Sequence, residues 1–131
     1  MTFSVSGYCK KTGMVGVAIT TSSICVASRC PWVRAGVGAA ATQNITDPSL
    51  GNLMLDYLEE GLNVQQTINK IVKEHKFISY RQLALIDSKG NCATHTGSKT
   101  LGTNAVSEGD CSVAAGNLLS STEVVQAMTD N

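Results

Sequence analysis

The sequence carries no net charge: ten Lys and Arg offset ten Asp and Glu, and charged residues make up only 15% of the 131. No basic run exceeds Lys10-Lys11. A nucleic-acid binder that works through phosphate neutralisation needs a basic surface, so that class is set aside. There is no stretch of eighteen apolar residues, hence no expectation of a membrane-spanning helix. The opening Met1-Thr2-Phe3-Ser4-Val5 has neither the positive n-region nor the apolar h-region of a secretory signal. The expected location is cytoplasmic. Five cysteines (Cys9, Cys25, Cys30, Cys92 and Cys111) are an odd number at wide spacings, and read as reduced, mostly buried small hydrophobes. Cys92 and His95 have ligand-like spacing but no second pair at zinc-site distance, so no metal and no cofactor are expected. Gly97-Ser98-Lys99-Thr100 lacks the preceding glycine and the adjacent Gly-Lys of a phosphate loop, and reads as ordinary loop.

What is present is a folding pattern. Hydrophobic residues reach 43% in 13.7 kDa, enough for one core and one domain over residues 1–131. Residues 2–8 alternate, with Phe3 and Val5 on one side and Thr2, Ser4 and Ser6 on the other. Gly13 closes a turn into a second strand over residues 14–20. Further strands are expected over 23–28 and 36–42, several with one face of very small residues. Asp47 and Pro48 then open a helix striped by Leu50, Leu53, Met54, Tyr57 and Leu58. Asn63 and Gln66 stand at capping-box spacing before a second helix with Val64, Ile68, Ile71 and Val72. Strands over 82–87 and 91–96 flank a turn, and a loop covers 97–110. A short strand over 111–115 breaks at Gly116-Asn117. Ser120 and Glu123 form the capping box of a last helix, inside which the chain stops.

The chemistry legible in the residues themselves is sparse. His75 reads as a solvated helix-end residue, and His95 ends a strand beside Thr94, Thr96 and Gly97, where a structural role is the plainer reading. Thr2 follows the initiator methionine. Removal of Met1 would leave a threonine whose hydroxyl is a nucleophile and whose α-amine, of ordinary pKa about 7.7–8.0, is its base. Retention of Met1 would lock that amine in a peptide bond.

Several stretches, in order along nearly the whole chain, carry a resemblance. They are Thr2-Phe3-Ser4, Gly16-Val17-Ala18, the run Pro31-Trp32-Val33-Arg34-Ala35-Gly36-Val37-Gly38-Ala39 with Ala41-Thr42-Gln43 after it, Asn52 to Gly61, Arg81-Gln82-Leu83, Thr96-Gly97 and Gly116-Asn117-Leu118. The chain resembles a domain-of-unknown-function family placed among the N-terminal nucleophile (Ntn) hydrolases. That resemblance implies an α+β fold, a four-layer αββα sandwich, incomplete in this chain. Its C-terminal strands and helix would be missing or supplied by another chain, which could also hold the true nucleophile.

It further implies an amidohydrolase with Thr2 as nucleophile, acting on a small amide, cyclic amide or ureido compound. The competing reading is a non-catalytic small-ligand-binding or assembly protein that retained the sandwich. Around Thr2, Arg34 would hold a substrate carboxylate or lower the Thr2 amine pKa, or else form a structural ion pair. Asn117 would contribute to an oxyanion hole, or else serve as a turn or cap residue. Gln43, Thr96, Gly97 and His95 would line the substrate cleft. A small-molecule substrate and self-association, as a homodimer, are the expected partnerships, since uncovered sheet edges invite pairing.

Overall fold

A computed structural model describes residues 1–130. Eight strands and three helices are arranged as two four-stranded antiparallel sheets with helices on their outer faces. The strands are β1 (Thr2–Tyr8), β2 (Val15–Thr21), β3 (Pro31–Arg34), β4 (Gly38–Asn44), β5 (Arg81–Asp87), β6 (Cys92–Thr96), β7 (Ala105–Gly109) and β8 (Ser112–Asn117). The helices are α1 (Ser49–Glu59), α2 (Val64–Glu74) and α3 (Glu123–Thr129). One sheet runs β2-β1-β8-β7 and the other β3-β4-β5-β6.

Alternation decides the layers. In β4 and β5, Ala40, Leu83 and Leu85 turn outward to meet Leu50, Met54, Leu55, Ile68 and Ile71 of α1 and α2. Their neighbours Ala39, Ala41, Ala84 and Ile86 turn inward, onto Val113 and Ala115 of the facing sheet. Because this inner layer is built largely from alanine, the sheets approach closely. On the far side Ala114, Phe3 and Val5 pack against Val124, Val125 and Met128 of α3. The order is therefore helix pair, sheet, sheet, helix, which agrees with the expected α+β sandwich of layers.

α1 starts one residue later than expected, with Pro48 at its cap position, and α2 starts as expected. Asp47 Oδ1 accepts from the Ser49 backbone N–H at 3.1 Å and its hydroxyl at 2.6 Å. Asn63 and Gln66 cap each other reciprocally, Gln66 N–H to Asn63 at 2.8 Å and Asn63 N–H to Gln66 at 3.0 Å.

Other expectations fail. Residues 23–28 are not a strand: bends lead into a 3-10 turn at Val26–Ser28, entered through Cys25 in a left-handed conformation. The strand at that point is Pro31–Arg34, an edge where proline's missing donor costs nothing. The 97–110 loop contains β7, whose Ser107 and Glu108 obscured it. Gly116 and Asn117 do not break β8; they pair with Phe3 and Thr2, and the turn comes at Leu118, φ 51°. Ser121, not Ser120, accepts the Glu123 N–H, at 3.2 Å, and no capping box forms. Of the cysteines only Cys30 is buried; Cys9 and Cys25 are exposed.

Candidate functional site

β1 and β8 lie side by side in register, so Thr2 stands opposite Asn117 and Ser4 opposite Ala115. Directly paired residues of an antiparallel ladder place their Cβ atoms about 4.5–5.5 Å apart on one face. On the other flank Thr2 pairs with Thr21 of β2, and their hydroxyl oxygens are 2.8 Å apart. Facing them across the sandwich, β4, β5 and β6 end in Gln43, Gln82 and Thr96, also in register. The polar ends of six strands thus meet at one end of an apolar inner layer.

Apart from the Thr2–Thr21 pair, these side chains together with Ser4 form one hydrogen-bonded cluster. Ser4 Oγ donates to Gln43 Oε1 at 2.8 Å. Gln43 Nε2 donates to Gln82 Oε1 at 3.0 Å, and Asn117 Nδ2 donates to the same oxygen at 3.1 Å. Gln82 Nε2 donates across the sandwich to the Gly116 carbonyl at 2.9 Å, with longer contacts of 3.4 Å to Thr96 Oγ1 and the Ala105 carbonyl. Ser4, Gln43 and Gln82 are essentially sealed, and Asn117 is 3% exposed. Burying three neutral amides is tolerable because each is hydrogen-bonded to another of them. The strands carrying two of them end abruptly in left-handed residues, Asn44 (φ 74°) after Gln43 and Leu118 after Asn117. Asparagine takes this conformation readily, and leucine pays strain for it. Asn44 anchors the mouth by donating to the Tyr80 carbonyl at 2.6 Å and accepting from Leu101 N–H at 3.1 Å.

Met1 precedes Thr2 in the chain and is held at this end. Its carbonyl accepts from the Ser22 N–H and from Thr21 Oγ1, both at 3.1 Å, and its ammonium donates to Ser22 Oγ at 3.2 Å. Because Thr21 donates to Met1, the Thr2 hydroxyl must be the donor in the Thr2–Thr21 pair.

Of the seven residues singled out in the sequence, Thr2, Asn117, Gln43 and Thr96 converge here. His95 and Gly97 adjoin the cluster without entering it. His95 pairs with Leu83 in the register and points to the helix side, where its Nε2 meets the Ile78 carbonyl at 3.2 Å. Gly97 is needed for packing, since a Cβ there would lie 2.2 Å from the Ser79 carbonyl oxygen.

Arg34 is elsewhere. It pairs with Gly38, five positions along β4 from Gln43, about 17 Å at strand rise. Its guanidinium makes 2.8 Å ion pairs with Asp56 and Glu59 of α1. The structural ion pair is therefore the outcome there, and neither substrate-carboxylate binding at Thr2 nor tuning of its amine fits that placement. Near Arg34, a concavity of about 630 Å³ is lined by Gly36, Leu58, Glu59, Asp87 and Lys89 among others. Its carboxylates are already engaged, Glu59 with Arg34 and Asp87 within its own turn.

Sequence reasoning missed three residues at this end of the sandwich: Ser4 and Gln82 of the cluster, and Thr21 beside Thr2. Gln82 left a signal, a lone amide at the head of the apolar run Leu83-Ala84-Leu85-Ile86. The cluster members are all neutral, and no group of His, Cys, Asp or Glu suited to a metal ion occurs among the described residues.

Comparison with known proteins adds the following. The model of a family described as "Family of unknown function (DUF1028)" matches residues 2–131. The crystal structure of protein SPO2555 from Silicibacter pomeroyi, described with the same family, superposes with a TM-score of 0.95 at 30% identity. The match covers 98% of this chain and 57% of that one, so this chain spans a little over half the length of that relative. Comparison with curated proteins gives no match.

Proposed function

The chain belongs to the DUF1028 family of unknown function, and from that premise we propose that it is an amidohydrolase of the Ntn type with Thr2 as its nucleophile. The observation that carries the reading is the position of Thr2. It lies at the end of the sandwich, register partner of Asn117, one residue from the buried amide cluster, its hydroxyl already 2.8 Å from Thr21 Oγ1. Once Met1 is removed, the Thr2 amine takes the hydroxyl proton as Oγ1 attacks a substrate carbonyl. Asn117 keeps one N–H beyond the bond to Gln82, and donates it to the oxyanion. The amine then protonates the leaving nitrogen, and water releases the acyl group from Thr2. A small amide, cyclic amide or ureido compound suits this chemistry.

A non-catalytic ligand-binding or assembly role is favoured by one specific observation, the three hydrogen bonds that hold Met1 in place. Hydrolysis of a panel of small anilides by the protein and its Thr2→Ala variant separates the two. The amidohydrolase reading requires turnover that Thr2→Ala abolishes. Turnover retained in Thr2→Ala removes Thr2 as the nucleophile, whereas no turnover at all, or a fully retained Met1, leaves the binding role.

A further inference from the structure

The orientation of every amide in the cluster follows from one atom, the Gly116 carbonyl oxygen. A carbonyl only accepts, so Gln82 must turn its Nε2 toward it. Its Oε1 then faces the other way and can only accept, which forces both Gln43 and Asn117 to present nitrogen. Gln43 consequently offers Oε1 to Ser4, whose hydroxyl proton is thereby committed. Each amide flip that would otherwise be ambiguous is fixed by this chain of exclusions. Asn117 ends the chain, with one N–H on Gln82 and its other N–H and Oδ1 making no hydrogen bond among the described residues.

We propose that Gln82 is the positioning residue of the site: it spans the two sheets and locks the Asn117 amide so that its free N–H and Oδ1 are presented beside Thr2. This rests on the amidohydrolase reading for its catalytic consequence, and on the hydrogen-bond geometry alone for the locking. Gln82 is itself sealed from solvent and touches no substrate. Two lone pairs of its Oε1 are filled by Gln43 and Asn117, and its nitrogen is held by Gly116, so it cannot rotate without breaking three bonds. Ser4 is removed by the same logic as a rival nucleophile.

Two substitutions test this. Gln82→Met keeps the volume and removes both donor and acceptor. Gln82→Glu keeps the shape but supplies a carboxyl, which matches the network only when protonated: its O–H then donates to Gly116 while its C=O accepts from Gln43 and Asn117. Ionised, it would set an acceptor against the Gly116 carbonyl.

The first measurement needs no activity: hydrogen exchange of the Asn117 and Gln43 side-chain amides by NMR. Both are protected in the wild type, and Gln82→Met must speed the exchange of both. In the anilide assay Gln82→Met must lower kcat on the order of 10²-fold with KM little changed, the scale set by loss of alignment. Gln82→Glu must retain both protection and turnover at low pH, and lose them together as the buried carboxyl ionises at a pH above the ordinary carboxylate range.

If Gln82→Met does not fold, the pH dependence of Gln82→Glu decides alone. Unchanged Asn117 exchange in Gln82→Met, or a Gln82→Glu variant indifferent to pH, overturns the proposal. Absence of any Thr2-dependent turnover in the wild type overturns the amidohydrolase reading instead, and the exchange data still judge Gln82.

Discussion

Two serines on one strand should respond oppositely to the same substitution. Ser4 and Ser6 both lie on β1, two positions apart on the inner face, and each is 1% exposed. By burial, residue type and secondary structure they are indistinguishable. Ser4 Oγ donates to Gln43 Oε1 at 2.8 Å, whereas Ser6 Oγ is sealed with no hydrogen-bond partner. Ser4→Ala therefore strands a buried amide oxygen, at a cost of about 1–3 kcal/mol. Ser6→Ala removes a hydroxyl whose uncompensated burial costs a comparable amount, about 1–3 kcal/mol on protein mutational scales. Its removal should leave stability unchanged or raise it by about 1 kcal/mol, net of lost packing contacts. The two variants should therefore lie about 1–4 kcal/mol apart, taking these terms together. Urea unfolding resolves this, because a slope of about 1–3 kcal/mol per molar turns a gap of about 2 kcal/mol into a midpoint separation of about 0.7–2 M. The midpoint of Ser4→Ala should fall and that of Ser6→Ala should hold or rise. Equal shifts in the same direction would mean that the Ser4–Gln43 bond contributes nothing beyond volume, and the description of the cluster as a satisfied network would be wrong.

Other predictions are independent of the cluster. Gly51→Ala in α1 would place its Cβ 1.9 Å from Trp32 Cδ1, so the indole must move; overpacking of about 1–3 kcal/mol outweighs the roughly 1 kcal/mol gained in helix propensity, and the fluorescence of the single tryptophan should shift with a lower Tm. Arg34→Met should change stability little, the less at high salt, and leave Thr2-dependent turnover intact; loss of turnover would place Arg34 back in the site. Burial pushes the Cys92 thiol up to about 12 from 9.0, with nearby Glu108 and Asp87 adding to the effect. The unfolded chain then releases that proton first, so stability is constant below about pH 9 and falls as pH rises from there toward 12; Cys92→Ala should flatten the alkaline limb in urea titrations.

Much of the architecture was legible because local and tertiary preferences agree. The alternation of Phe3 and Val5 with Ser4 and Ser6 sorts β1 into an α3 face and an inner face, as the clusters confirm. The Asn63–Gln66 box is a purely local device and formed as read. Failures occurred where tertiary context overrides local signals. Gly116-Asn117 looks like a break, yet both residues pair within β8, where a Cβ on Gly116 would crowd the Leu119 side chain at 2.7 Å. The apolar Ile24 and Val26 suggested a strand, but Ile24 is 84% exposed and pairs with nothing in a sheet.

For the site, chain order suggests Thr2 and even Asn117, but not that Gln43 donates to Gln82, 39 positions away. Arg34 stays open between two roles in the sequence because a single arginine beside small residues looks the same whether it faces a cleft or the Asp56 and Glu59 of a helix 22 and 25 positions on.

The central claim is that Thr2 becomes a free N-terminal nucleophile. Intact mass spectrometry of the purified protein, before and after treatment with an acylating amide-mimetic probe, tests it most directly. The account predicts a mass lacking one methionine and a single probe adduct that peptide mapping assigns to Thr2 and that Thr2→Ala abolishes. A protein that keeps Met1 in full, or an adduct that persists in Thr2→Ala, would contradict it.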